Sequence, residues 1–180
     1  MKALELFKKE TIPALKEKLG VKNIHAVPTV DKVIVSVGIG SLATRKSVKD
    51  FEEFEKNLKK ITGQKPMLVK SRKAISNFKL REGMPVMLKV TLRRDRAYDF
   101  LEKFVKVVLP RLRDFSGISG KSFDPKGNYS IGLVNYNIFP EIGVEDAPTP
   151  MGLQITIVTK GSTDAIKSKA LLEGLWLIFK

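Results

Sequence analysis

Apolar side chains recur along this chain with two different periods, and each change of period marks an element. Val33, Val35 and Val37 alternate with Lys32, Ile34 and Ser36, which predicts a strand with one fully apolar face. Val86, Leu88, Val90 and Leu92 alternate in the same way with Met87, Lys89, Thr91 and Arg93, so one face of that strand is core and the other cationic. Met67 to Arg72, Tyr129–Ile131–Leu133 and Leu153–Ile155–Ile157–Thr159 predict three further strands. Elsewhere the spacing is three and four. Leu4, Ile12, Leu15 and Leu19 fall on one stripe of an N-terminal helix that Pro13 interrupts and Gly20 stops. Val48, Phe51, Phe54, Leu58 and Ile61 give the clearest amphipathic helix, behind a capping box of Ser47 and Asp50. Tyr98, Leu101, Val105, Val108 and Leu112 give a third helix, with Pro110 near its end, and Ser162 or Thr163 caps a last one reaching about Leu175.

Strands with one apolar face, joined by hairpins or helices, predict an α+β fold. Its antiparallel or mixed sheet carries helices on one face and leaves the other open, as in the common RNA-binding sheet domains. A single domain over residues 1–180 is expected, with a basic loop at 70–84 and long loops at 113–128 and 135–150.

Charge then changes the picture. The chain carries a net charge of +14, and residues 65–96 hold ten Lys and Arg against only Glu82 and Asp95. A cationic strand face beside such a loop suits a polyanion, because every phosphate neutralised releases condensed counterions. The absence of cysteine removes disulfides and thiolate metal sites, and the single His25 removes a His-pair site and disfavours Ser-His chemistry. Neither a cofactor nor a metal is expected. The N-terminus lacks the uninterrupted apolar run of a signal peptide and no segment approaches a membrane span, so a soluble, cytoplasmic protein is expected.

Two local motifs stay open. Gly38-Ile39-Gly40-Ser41-Leu42-Ala43 fits the G-x-G-x-x-A turn of dinucleotide-binding folds, and offers an alternative in which Gly38 and Gly40 serve a nucleotide-cofactor enzyme. Its plain alternative is a glycine turn that lets backbone pass close to the core or to a partner. In the basic loop, Phe78 beside Ser76, Asn77 and Lys79 either stacks on a base or tucks under the loop as an anchor.

Longer segments carry a family likeness. ITGQKP (61–66), SRKAISNFKLREGMP (71–85), VTLRRDR (90–96), LPRLRDFSGIS (109–119), KSFDPKGNYS (121–130) and IFPEI (138–142) resemble the bacterial form of ribosomal protein five of the large subunit, in order along nearly the whole chain. The resemblance implies a non-catalytic, ribosome-bound protein that binds 5S rRNA and docks it with 23S rRNA in the central protuberance. The rRNA-binding residues it implies are Lys32, Ser36, Gln64, Thr91 and Arg93, to which the cationic strand face and the Arg pair at its end add Lys89 and Arg94. A loop facing P-site tRNA would carry Arg72, Lys73, Ser76, Asn77, Phe78, Lys79 and Arg81. Neighbouring large-subunit proteins, and a small-subunit head protein reached from the two long loops, complete the implied partners. A free-standing RNA-binding regulator shares the same basic face and is a further alternative. Two departures stand out: Ser36 replaces an Asn common among relatives, and the ending Trp176-Leu177-Ile178-Phe179-Lys180 is less basic than the family's.

Overall fold

The computed structural model describes residues 3–45, 51–113, 115–143, 151–161 and 164–180. The capping box at Ser47 and Asp50, Val48 of the helix behind it, and the caps at Ser162 and Thr163 lie outside them. Five strands form one sheet in the order β2-β3-β1-β5-β4, where β1 is Thr29–Gly38, β2 Met67–Lys70, β3 Pro85–Arg93, β4 Tyr129–Leu133 and β5 Leu153–Lys160. The fold is α+β, as the alternating patterns predict. Strands β1 and β3 alternate over most of their length as their sequences do: Val33, Val35 and Val37 are buried in β1, and Leu88, Val90 and Leu92 in β3, while the residues between them keep partial exposure, whereas β2 buries none of its four residues.

Strands β2 and β3 pair antiparallel, with Met67 opposite Lys89 and Val69 opposite Met87. The register shifts between Val69 and Lys70, and this ends β2 two residues before the Arg72 expected from sequence. Val86, assigned to the core face by alternation, is only half-buried, because the ladder is irregular where it sits.

Helices α1 (Ala3–Leu6) and α2 (Ile12–Leu19) are joined by a π-helical segment, Phe7–Thr11, and Gly20 closes α2 in the left-handed conformation. Pro13 has no N–H to give and would crowd the carbonyl four residues back, and the wider turn ahead of it accommodates both defects. That turn also moves the buried stripe. Ala3, Phe7, Thr11 and Leu15 face inward, whereas Leu4, Ile12 and Leu19 of the expected stripe remain partly exposed. The same correction applies to helix α5 (Asp95–Lys103), which continues through a π-helical turn at Phe104–Val108 and a 3-10 turn at Leu109–Arg111. There Phe104 and Leu109 are buried in place of Val105 and Leu112.

The chain forms two compact units, Met1–Ile34 with Leu92–Ile131 and Ile155–Lys180, and Val35–Thr91 with Gly132–Gln154. In the first, the Phe7 and Tyr98 rings lie 5.0 Å apart and the Tyr98 hydroxyl accepts a hydrogen bond from the Val30 amide at 3.2 Å. Helix α6 (Ala165–Gly174) meets the N-terminal helix at Thr11, whose hydroxyl donates to the Gly174 carbonyl. The chain end is fastened by Lys180 N to Ile118 O and Ile118 N to Ile178 O, with Phe179 packed on Phe123 and Tyr129. In the second unit, helix α4 (Glu52–Thr62) buries Phe54, Leu58 and Ile61, and Gly63 in the left-handed region ends it. No helix among the described residues is long and apolar enough to cross a membrane.

Candidate nucleic-acid interface

The second unit holds most of the residues that the sequence nominates. Ser36 on β1, and Lys89 and Thr91 on β3, occupy the partly exposed positions of neighbouring strands, each between two buried residues of its own strand. Gln64 sits two residues past the end of α4, where its backbone N–H and carbonyl both bond the Thr62 hydroxyl. Its side-chain Nε2 donates to the Thr91 carbonyl at 3.4 Å, which fixes the turn after α4 against β3. Met67, highly exposed on β2 opposite Lys89, adds an apolar spot to the same unit.

The basic loop is a built arm. Ser71 N donates to Met84 O and Gly83 N to Ser71 O at its base, and Ile75 and Leu80 exchange backbone bonds in both directions near its tip. Between them a 3-10 turn, Ser76–Phe78, closes on Lys79 in the left-handed conformation with φ 53°. Arg72, Lys73, Ser76, Asn77, Phe78, Lys79 and Arg81 are all exposed. Phe78 is 72% exposed, so the anchor alternative is rejected: the ring is presented to solvent.

Lys32, Arg93 and Arg94 belong to the first unit. Lys32 follows the same alternation along β1 as Ser36, and its ammonium lies 3.5 Å from the Asp31 carboxylate, an exposed pair worth little energy. Arg93 ends β3 exposed. Arg94 precedes α5 with φ 52° and ψ −132°, a conformation that L side chains rarely adopt. Sequence reasoning could not find that strain, because nothing in an arginine announces it.

The glycine turn tests the enzyme alternative. Ile39 N donates to Val86 O at 2.9 Å, and Gly40 opens the six-residue helix α3 (Gly40–Arg45). A dinucleotide fold needs the next strand parallel to and beside the first, but β2 pairs antiparallel with β3, and β1 lies between β3 and β5. The turn is therefore the plain glycine turn. Ser41 and Thr44 nevertheless line a groove with the arm tip, a role that the sequence reading did not assign.

Comparison with known proteins decides the family. Residues 23–81 match the family model described as ribosomal protein L5, and residues 85–179 match the separate model of that ribosomal family's C-terminus. The chain belongs to the ribosomal protein L5 family. It is 48% identical over 176 residues to the large ribosomal subunit protein uL5 of Geobacter sp. (strain M21), covering 98% of this chain and 97% of that one. The uL5 of Caldanaerobacter subterraneus is 46% identical over 175 residues, covering 97% and 96%, and that of Streptococcus sanguinis is 45% identical with the same coverage. Members of this family are structural proteins and not enzymes, which sets aside the cofactor-enzyme alternative on a second ground.

Proposed function

We infer that the protein is a structural constituent of the large ribosomal subunit in the cytoplasm, and that it binds 5S rRNA and docks it against 23S rRNA. Ser36, Gln64, Lys89 and Thr91 supply hydrogen bonds and charge from a preformed surface, while Lys32, Arg93 and Arg94 add cations for phosphates. The arm at 71–84 faces P-site tRNA. The loops at 113–128 and 135–150 reach a small-subunit head protein, and neighbouring large-subunit proteins are further partners. What carries this reading is the exposed cationic arm with its bare Phe78 ring, in the same unit as the polar strand positions. Phosphate contact accounts for the charge and base stacking accounts for the ring. The relatives are named as large ribosomal subunit proteins, which favours a ribosomal RNA as the polyanion.

The test is 5S rRNA binding over a salt series. Log affinity should fall linearly with log salt, and a slope near zero overturns the reading. The regulator alternative is separated by sedimentation: a ribosomal constituent travels with the large subunit, and a free-standing regulator does not.

A further inference from the structure

An open groove of about 520 Å³ lies between helix α3 and the arm tip, inside the second unit. This is within the roughly 300–1,000 Å³ of small-ligand sites. Gly40, Ser41 and Thr44 form one wall, Asn77, Phe78 and Lys79 another, and none of the described lining residues is acidic. The chemistry is uneven in a useful way. One wall offers an aromatic ring that the fold leaves largely bare. Beside it stand the Lys79 cation, the Asn77 amide and the Ser41 hydroxyl, while the Thr44 hydroxyl donates to the Gly40 carbonyl at 2.8 Å and so can only accept from a ligand.

We propose that this groove receives a single unstacked nucleotide of a folded RNA, with its base on the Phe78 ring, its polar edge at Asn77 and Ser41, and its phosphate at Lys79. The proposal rests on the RNA-binding reading above and deepens it. A ring face accepts any base, and the amide and hydroxyl supply both donors and acceptors to the edge. A polymer fits better than a free nucleotide. A single lysine is a poor match for a di- or triphosphate, whereas Arg72, Lys73 and Arg81 elsewhere on the arm suit the phosphates of a continuing strand. Two parts of the chain far apart in sequence make the groove, and the bond from Ile39 N to Val86 O ties the glycine turn to the strand that leaves the arm. The glycine turn thus serves a nucleotide without being a dinucleotide fold.

The experiment uses the full chain and two RNA hairpins, one fully paired and one carrying a single bulged 2-aminopurine. The wild-type protein should bind the bulged hairpin more tightly and quench its fluorescence. Phe78→Ala should lose roughly tenfold or more of that affinity and the quenching, and should bind the two hairpins about equally. Phe78→Tyr should restore both effects. Ser41→Leu fills the groove without altering charge and should mimic Phe78→Ala, with thermal melts confirming that each variant is folded. Equal binding and quenching by wild type, Phe78→Ala and Ser41→Leu overturns the groove proposal while leaving the salt-dependent RNA binding in place. Failure to bind either hairpin by a preparation that binds 5S rRNA overturns the groove proposal alone, whereas failure to bind 5S rRNA overturns the broader reading and this one with it. Saturable binding of free ATP at the affinity of the bulged hairpin overturns the choice of a polymer.

Discussion

The Gln64 side-chain amide donates to the backbone carbonyl of Thr91 at 3.4 Å, so two residues nominated as RNA contacts are also joined to each other. The bond is long and part-buried, and one neutral hydrogen bond contributes roughly 0.5–1.5 kcal/mol. Gln64→Ala should therefore lower stability in urea unfolding by no more than about 1 kcal/mol. Its effect on 5S rRNA should be separable from that loss. Gln64→Glu removes the same donor and adds a negative charge, and so should bind 5S rRNA more weakly than Gln64→Ala at low salt, with the difference closing as salt rises. Equal affinities for the two variants across the salt series would remove Gln64 from the interface.

Arg94 joins a strained backbone to an exposed cation. Its φ of 52° with ψ of −132° is readily available only to glycine, and sparsely populated conformations cost on the order of 1–3 kcal/mol. Arg94→Gly should raise thermal stability even though it deletes a side chain. If Arg94 meets a phosphate, the same variant should bind RNA more weakly, and its log–log salt slope should shrink by about one. Calorimetry and a salt series on one preparation check both. A variant that is more stable and binds unchanged would make Arg94 an accident of the turn.

Much of the sheet was readable from sequence, because a period of two leaves little choice about which side of a strand is buried. The π-helical turns were not. Thr11 is polar and Phe7 stands next to lysines, so a strict helical count finds Leu15 but passes over Ala3, Phe7 and Thr11 and selects Leu4 and Ile12 instead. Val86 was misplaced for a related reason: the register shift beside it depends on the partner strand, which its own sequence does not encode. The residues nominated for RNA were legible as types and spacings. That Phe78 stands bare, and that Ser41 and Thr44 face it across a groove, depends on contacts between residues about 40 positions apart.

Alkaline pH should destabilise the fold through Tyr98. Burial pushes this phenol up from 10.0 to about 12, against the opposing effect of the hydrogen bond from the Val30 amide. The folded state thus holds the neutral phenol more firmly than the unfolded chain does. The contribution is complete below about pH 10 and is lost as pH rises from there toward 12, and two units correspond to roughly 2–3 kcal/mol. Tyr98→Phe should abolish this part of the alkaline loss. At neutral pH the variant should cost about 1–3 kcal/mol, because the buried Val30 N–H loses its acceptor. Urea midpoints at neutral and alkaline pH, for wild type and variant, check the sign.

Gly174 is the last residue of α6, and a Cβ added there would come within 2.7 Å of the Thr11 Cγ2. Two opposed effects meet at this position. Alanine favours a helix over glycine by up to about 1 kcal/mol, while forcing an extra methyl into a closed contact costs typically 1–3 kcal/mol. The obstructing methyl belongs to a β-branched side chain that is 7% exposed and whose hydroxyl bonds the Gly174 carbonyl, so it has little freedom to turn away. Gly174→Ala should accordingly destabilise. Thr11→Ser removes the methyl and keeps the hydroxyl, and alone should cost about 0.8 kcal/mol for one buried carbon. The double variant should be more stable than Gly174→Ala, because the serine leaves room for the alanine Cβ and the helix preference then works unopposed. Chemical denaturation of all four proteins measures the coupling as a double-mutant cycle. Additive losses would mean that the two helices separate on substitution instead of pressing on this one methyl.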